Sequence, residues 1–136
     1  MFEILEHPAD IGFRVFGSTP AELFENAAAA MLSLANEPER VAPRVEYSLR
    51  AFGSDHESML VDWLSEVLYW FDGKQVAFAS FHITRFEPPE LEAVGRGEPR
   101  DPQRHAAKLN VKAVTWHQLK VEQRADGWVA EVYLDI

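Results

Sequence analysis

The stretch Asp55-His56-Glu57-Ser58-Met59-Leu60-Val61-Asp62-Trp63-Leu64-Ser65-Glu66-Val67-Leu68-Tyr69-Trp70-Phe71 decides the class of fold. Met59, Leu60, Trp63, Leu64, Val67, Leu68, Trp70 and Phe71 recur at helical spacing and cover more than half of the circumference, whereas a helix lying on one surface needs only a stripe. The spacing predicts a central helix from about 55 to 71, contacted from more than one side. Ser54 and Glu57 stand at capping-box spacing at its start, and Asp72-Gly73-Lys74 ends it. Asp62 and Glu66 interrupt the apolar run, which is too short to cross a bilayer.

On the N-terminal side, Arg44 to Phe52 alternates Val45, Tyr47, Leu49 and Ala51 with Glu46, Ser48 and Arg50, the period of a strand with one wet face. Before it, Thr19, Pro20 and Glu22 give N-cap, first helical position and capping-box partner. Leu23, Phe24, Ala27, Ala28, Met31 and Ala35 then form the single apolar face of a helix stopped at Asn36-Glu37-Pro38. Residues 2 to 17 read as two strands broken at His7-Pro8. On the C-terminal side the chain is strand-rich, with predicted strands at about 76–86, 91–96, 108–115, 117–124 and 128–134. Asp126-Gly127 marks a hairpin between the last two. Gly97 to Ala106, with two prolines and no periodicity, reads as a mobile surface loop. The order of elements predicts an α+β fold, two helices packed on mixed or antiparallel β-sheets.

A chain of 136 residues that is 47% hydrophobic, with nine Phe and four Trp, can bury one sizeable core, so a single domain over 1–136 is expected. The absence of cysteine excludes disulfides, thiolate zinc sites and cysteine nucleophiles. A formal net charge of −9 opposes direct binding to nucleic acid and suits a bound cation or a basic protein partner. No signal or transit pattern opens the chain and no membrane partner is indicated, so a cytoplasmic location is expected. His7, His56, His82, His105 and His117 include no pair at zinc-site spacing. Hydrolase, kinase and dehydrogenase signatures are missing, and Gly95-Arg96-Gly97-Glu98 leads into a proline-containing loop where a phosphate cradle needs a helix.

Three segments could carry chemistry. His7-Pro8-Ala9-Asp10-Ile11-Gly12 puts a carboxylate on a tight link between two apolar strands, a position where aspartate commonly caps backbone. Leu134-Asp135-Ile136 ends the last strand on a second carboxylate beside a chain terminus. Asn110-Val111-Lys112-Ala113-Val114-Thr115-Trp116-His117 carries one lysine amid branched and aromatic residues, as edge strands often do.

These segments, in this order, resemble the archease family, whose pattern runs His-Thr-Ala-Asp-Ile-Gly, then Lys-Ala-Val-Thr-Tyr-His, then Asp-Ile or Asp-Leu. Ala21 to Ala28 and Leu60 to Tyr69 are similar to the family's two helices, so the likeness is collinear over nearly the whole chain. Pro8 stands where the family has Thr, and Trp116 where it has Tyr. The resemblance implies an SHS2-like strand-helix-strand-strand architecture with an inserted second unit. It also implies a protein cofactor, itself no enzyme, that activates an RtcB-type RNA ligase in tRNA splicing and RNA repair by promoting ligase guanylylation and multiple turnover. It further implies a divalent cation on Asp10 and Asp135 and a role for Lys112; the chemistry of hard cations points to calcium or magnesium, with backbone carbonyls, waters or the Ile136 carboxylate needed to complete the shell. His7 lies in the first motif and is a candidate partner-contacting residue. A hard cation prefers such oxygen donors, and two distant aspartates can converge at adjacent strand ends. A chaperone-like or ligand-binding SHS2 module for other nucleic-acid-processing proteins is the alternative. A metal-dependent phosphohydrolase lacks an evident nucleophile or second metal.

Overall fold

The N-terminal strand pair forms β1 (Phe2–Glu6) and β2 (Asp10–Gly17) in the computed structural model, which describes residues 2–6 and 10–136. His7 lies outside the described residues. The chain continues through α1 (Pro20–Ala35), β3 (Val45–Phe52), α2 (His56–Leu68), β4 (Val76–Glu87), β5 (Glu90–Pro99), β6 (Ala113–Arg124) and β7 (Gly127–Asp135). The strands form two sheets, ordered β1-β2-β7-β6 and β3-β5-β4, and every described pair is antiparallel. In the first sheet the N-terminal and C-terminal ends of the sequence lie side by side, because β2 pairs with β7.

Both helices touch both sheets: α1 packs on β2, β7 and β4, and α2 on β3 and β6. The broad apolar surface of α2 follows from this position. Met59, Leu60, Trp63, Leu64, Val67 and Leu68 are all buried in one core shared with Phe13, Phe24, Leu49, Phe78, Leu91 and Val132. Each helix closes its first turn by side-chain capping, since its leading N–H groups have no partner within the helix. In α1 the Thr19 hydroxyl accepts from Glu22 N, and the Glu22 carboxylate accepts from Ser18 N, one residue before the expected partner. In α2 the box lies one residue later than Ser54 and Glu57 suggest: Asp55 accepts from Ser58 N and Ser58 Oγ from Asp55 N. Aspartate and serine at this spacing satisfy the same two donors, and Glu57 is left on the first turn.

Three expectations are corrected. The predicted helix to Phe71 gives way at Leu68 to a wider turn, Tyr69–Gly73, in which Lys74 N donates to Tyr69 O. Residues 108–112 are no strand. Lys108 N and Leu109 N donate to Ala35 O and Leu34 O, and Lys108 Nζ to Ser33 O, so this segment satisfies the carbonyls left open at the end of α1. The predicted strands 108–115 and 117–124 accordingly become one strand, β6, with an irregularity between Thr115 and Lys120. Gly97 to Ala106 is not a mobile surface loop. Its first residues belong to β5, and Glu98 and His105 are both buried. A hairpin does join β6 to β7, with its turn at Ala125-Asp126, one residue before the expected pair, and Gly127, the first residue of β7, adopts φ 139°, a conformation open to glycine.

Candidate functional site

The pairing of β2 with β7 puts Asp10 directly opposite Asp135, and the pairing of β6 with β7 puts Ala113 opposite Asp135 on its other side. Residues directly opposite in an antiparallel pair share a face, with Cβ atoms roughly 4.5–5.5 Å apart. Two carboxylates thus meet at one end of the first sheet. Like charges facing each other are unfavourable unless a cation or a positive group lies between them. Lys112 N donates to Asp135 O at 2.8 Å, which fixes the lysine's main chain beside the pair. Asp10 is half-buried, while Lys112, Asp135 and Ile136 are exposed. The three predicted motifs therefore converge at one sheet end, apart from His7, which lies outside the described residues.

The donor set suits a hard cation held loosely. Asp10 and Asp135 present carboxylates from neighbouring strands, and Ile136 follows Asp135 directly in the sequence. Among the described residues no group of three His, Asp or Glu side chains could hold a metal ion, so a cation here needs waters or a partner's oxygens. A groove of about 310 Å³ adjoins Lys112, lined also by Leu68, Tyr69, Asp72 and Val114. Lys112 is thereby placed between the carboxylate pair and the end of α2.

The sequence did not reveal what holds this end in register. Gly12, the next position on the same face after Asp10, pairs with Tyr133. A Cβ at Gly12 would stand 2.7 Å from the Tyr133 ring, so that ring occupies the space a side chain there would need. The Tyr133 ring in turn meets His117, with centroids 6.3 Å apart. One row further, Arg14 bridges Glu131 on β7 and Glu3 on β1, tying three strands together. The available signal was the glycine inside the alternating run Ile11, Phe13, Val15, since such a glycine often marks close approach of another group. Gly12→Val is expected to push Tyr133 off the sheet and to lower stability by about 1–3 kcal/mol, read as a lower denaturant midpoint. An unchanged midpoint would show that the ring is not held there.

A second polar cluster lies apart from this end. Glu98, fully inaccessible, accepts from Ala42 N at 2.9 Å, Arg104 Nη2 at 2.7 Å and His105 Nε2 at 3.0 Å, with Arg44 Nη2 at 3.2 Å. The Ala42 N–H and the Arg104 guanidinium, helped by His105, hold the Glu98 carboxyl down at about 2 against the effect of burial. Asp101 N donates to His105 Nδ1 at 2.8 Å, so the neutral ring carries its proton on Nε2 and donates it to Glu98.

The described residues include no helix long and apolar enough to cross a membrane. The model of the Archease protein family matches residues 2–136. The protein named archease from Methanosarcina mazei is 41% identical over 139 residues, covering 99% of this chain and 95% of that protein. Its namesake from Methanopyrus kandleri is 38% identical and covers 99% of both chains. The solution structure of a Methanobacterium thermoautotrophicum protein superimposes with a TM-score of 0.87 at 31% identity, over 99% of this chain and 98% of that one.

Proposed function

Because the chain belongs to the archease protein family, we propose that it is an accessory protein, with no catalytic residues of its own, that activates an RtcB-type RNA ligase in tRNA splicing and RNA repair. The observation that carries this reading is the convergence of Asp10, Asp135 and Lys112 at one end of a sheet, from three separate parts of the sequence. Asp10 and Asp135 would hold a divalent cation, calcium or magnesium, with Ile136 main-chain oxygen and water completing the shell. The cation would offset the repulsion between the facing carboxylates and fix them as a rigid acidic group. Lys112 would supply a point charge toward a phosphate or an acidic group of the ligase. Presented at the mouth of the ligase's active site, this end would favour the arrangement that guanylylates the ligase histidine and so sustain turnover. His7, three residues before Asp10 in the same motif, would contact the partner. The net charge of −9 favours a partner that supplies the basic surface and itself holds the RNA, in the cytoplasm.

The test is RNA ligation by the ligase of the same organism, under multiple-turnover conditions with GTP and manganese, with and without this protein. Wild type is expected to drive ligation past a single turnover. Asp10→Ala and Asp135→Ala are each expected to return it to the level of the ligase alone, while melting at or above the wild-type temperature when divalent cations are removed by a chelator, because a like-charge pair has been relieved. Full stimulation by both variants would sink the proposed site. Absence of stimulation by wild type, with a ligase shown to be active, would move the function to a binding module for other nucleic-acid-processing proteins.

A further inference from the structure

β6 leaves its ladder next to the carboxylate pair. After Thr115, which pairs with Tyr133, register is regained only at Lys120 opposite Glu131. The cause is local: the Thr115 hydroxyl accepts from His117 N at 2.9 Å, turning the chain away from β7, and Gln118 takes a left-handed φ of 54°. The segment that bulges out carries Trp116, whose side chain is 60% exposed, the most exposed of the large hydrophobic residues described. Toward the sheet end Val114 and Ala113 of the same strand, with Lys112 just before it, line the groove, and across that groove stands Tyr69, 56% exposed. Ile136, 41% exposed, follows Asp135. Apolar side chains thus border a sheet end that carries Asp10 and Asp135, with Asp72 of the Tyr69–Gly73 turn on the adjoining groove.

We infer that Trp116 is the anchor by which this end docks onto a folded protein that presents an apolar pocket rimmed by lysine and arginine. The inference rests on the proposed function, with the ligase as that protein. Charge complementarity selects the occupant. An acidic chain of net charge −9 repels both a second copy of itself and a phosphate backbone, and attracts a basic protein rim. Tryptophan is enriched among residues that dominate binding energy, because a large rigid ring buries much area at little entropic cost. The bulge also interrupts the free edge of β6, so a partner is met by side chains here and not by strand addition.

Binding of the intact protein to the purified ligase, measured by calorimetry at low and high salt alongside the ligation assay, tests this. Trp116→Ala is expected to weaken binding by roughly tenfold to a hundredfold and to raise the concentration for half-maximal stimulation in step, with the maximum preserved at saturation. Trp116→Tyr should recover most of the affinity. Asp10→Ala should show the reverse split, losing the maximum while still binding. Unchanged melting of Trp116→Ala would exclude a folding defect as the cause, and affinity of the wild type should fall with salt. Wild-type affinity in Trp116→Ala, or no binding by wild type, would overturn the anchor. Binding that depends on Trp116 without any stimulation would leave the docking surface standing and remove the activator reading.

Discussion

Trp63→Ala is expected to destabilise the fold by about 3–5 kcal/mol, the largest loss from any single core truncation in this chain. Trp63 is the largest fully buried side chain and lies on α2, which like α1 touches both sheets. Its ring packs edge-on against Phe81 of β4, with centroids 5.6 Å apart, and its Nε1 donates to Phe24 O of α1 at 2.9 Å. Truncation removes the contact with β4 and the link between the helices, and leaves a cavity that close-packed neighbours refill only in part. Trp63→Phe keeps most of the apolar volume and loses the hydrogen bond, so its cost should be about half as large. Equilibrium denaturation with urea measures both: the midpoint should fall at constant slope. A loss under about 1 kcal/mol in Trp63→Ala would mean that the two helices and β4 do not share one core there.

Glu98→Gln is expected to lower the melting temperature by on the order of 10 °C at neutral pH. Both carboxylate oxygens of Glu98 already accept. Oε2 takes Ala42 N and His105 Nε2, and Oε1 takes Arg104 Nη2. An amide has one accepting oxygen, so whichever way it turns, its NH₂ faces a donor, and Arg104 and Arg44 lose their buried counter-charge. The pH dependence has a definite sign. The Glu98 carboxyl sits at about 2 in the fold against an ordinary value of 4.5, so its contribution is complete above about 4.5 and is lost as pH falls through 2. Acid titration of wild type should therefore show a loss of stability across that window, and Glu98→Gln should lack this part. Equal acid sensitivity of the two chains would show that the carboxylate is not held as described.

The Glu98 cluster also marks where sequence reading ended. Gly97 to Ala106 has the composition of a surface loop, with two prolines, mixed charge and no period, and nothing local distinguishes a glutamate in water from one enclosed by Arg44, Ala42, Arg104 and His105. Burial of that charge is possible only because partners from before β3 and after β5 arrive together. Similarly, the branched residues after Lys108 fit a strand by composition. The end of α1 claims their first N–H groups, since its open carbonyls need donors.

The sequence by itself determined the two helices, the strands from β1 to β5 and β7, the α1 cap at Thr19, the hairpin between β6 and β7, the central place of α2 and, through collinear motifs, membership in a family. Periodicity, caps and turns report on a few neighbouring residues, so they are legible locally. Only the tertiary structure decided that Asp10 faces Asp135, that the Tyr133 ring occupies the space a side chain at Gly12 would need, that β6 bulges to expose Trp116, and that Glu98 is enclosed. Each depends on strand register and on packing between segments far apart in the chain. A shift of one residue would turn every side chain of β7 to the opposite face, and no local pattern can exclude that shift before the core has formed.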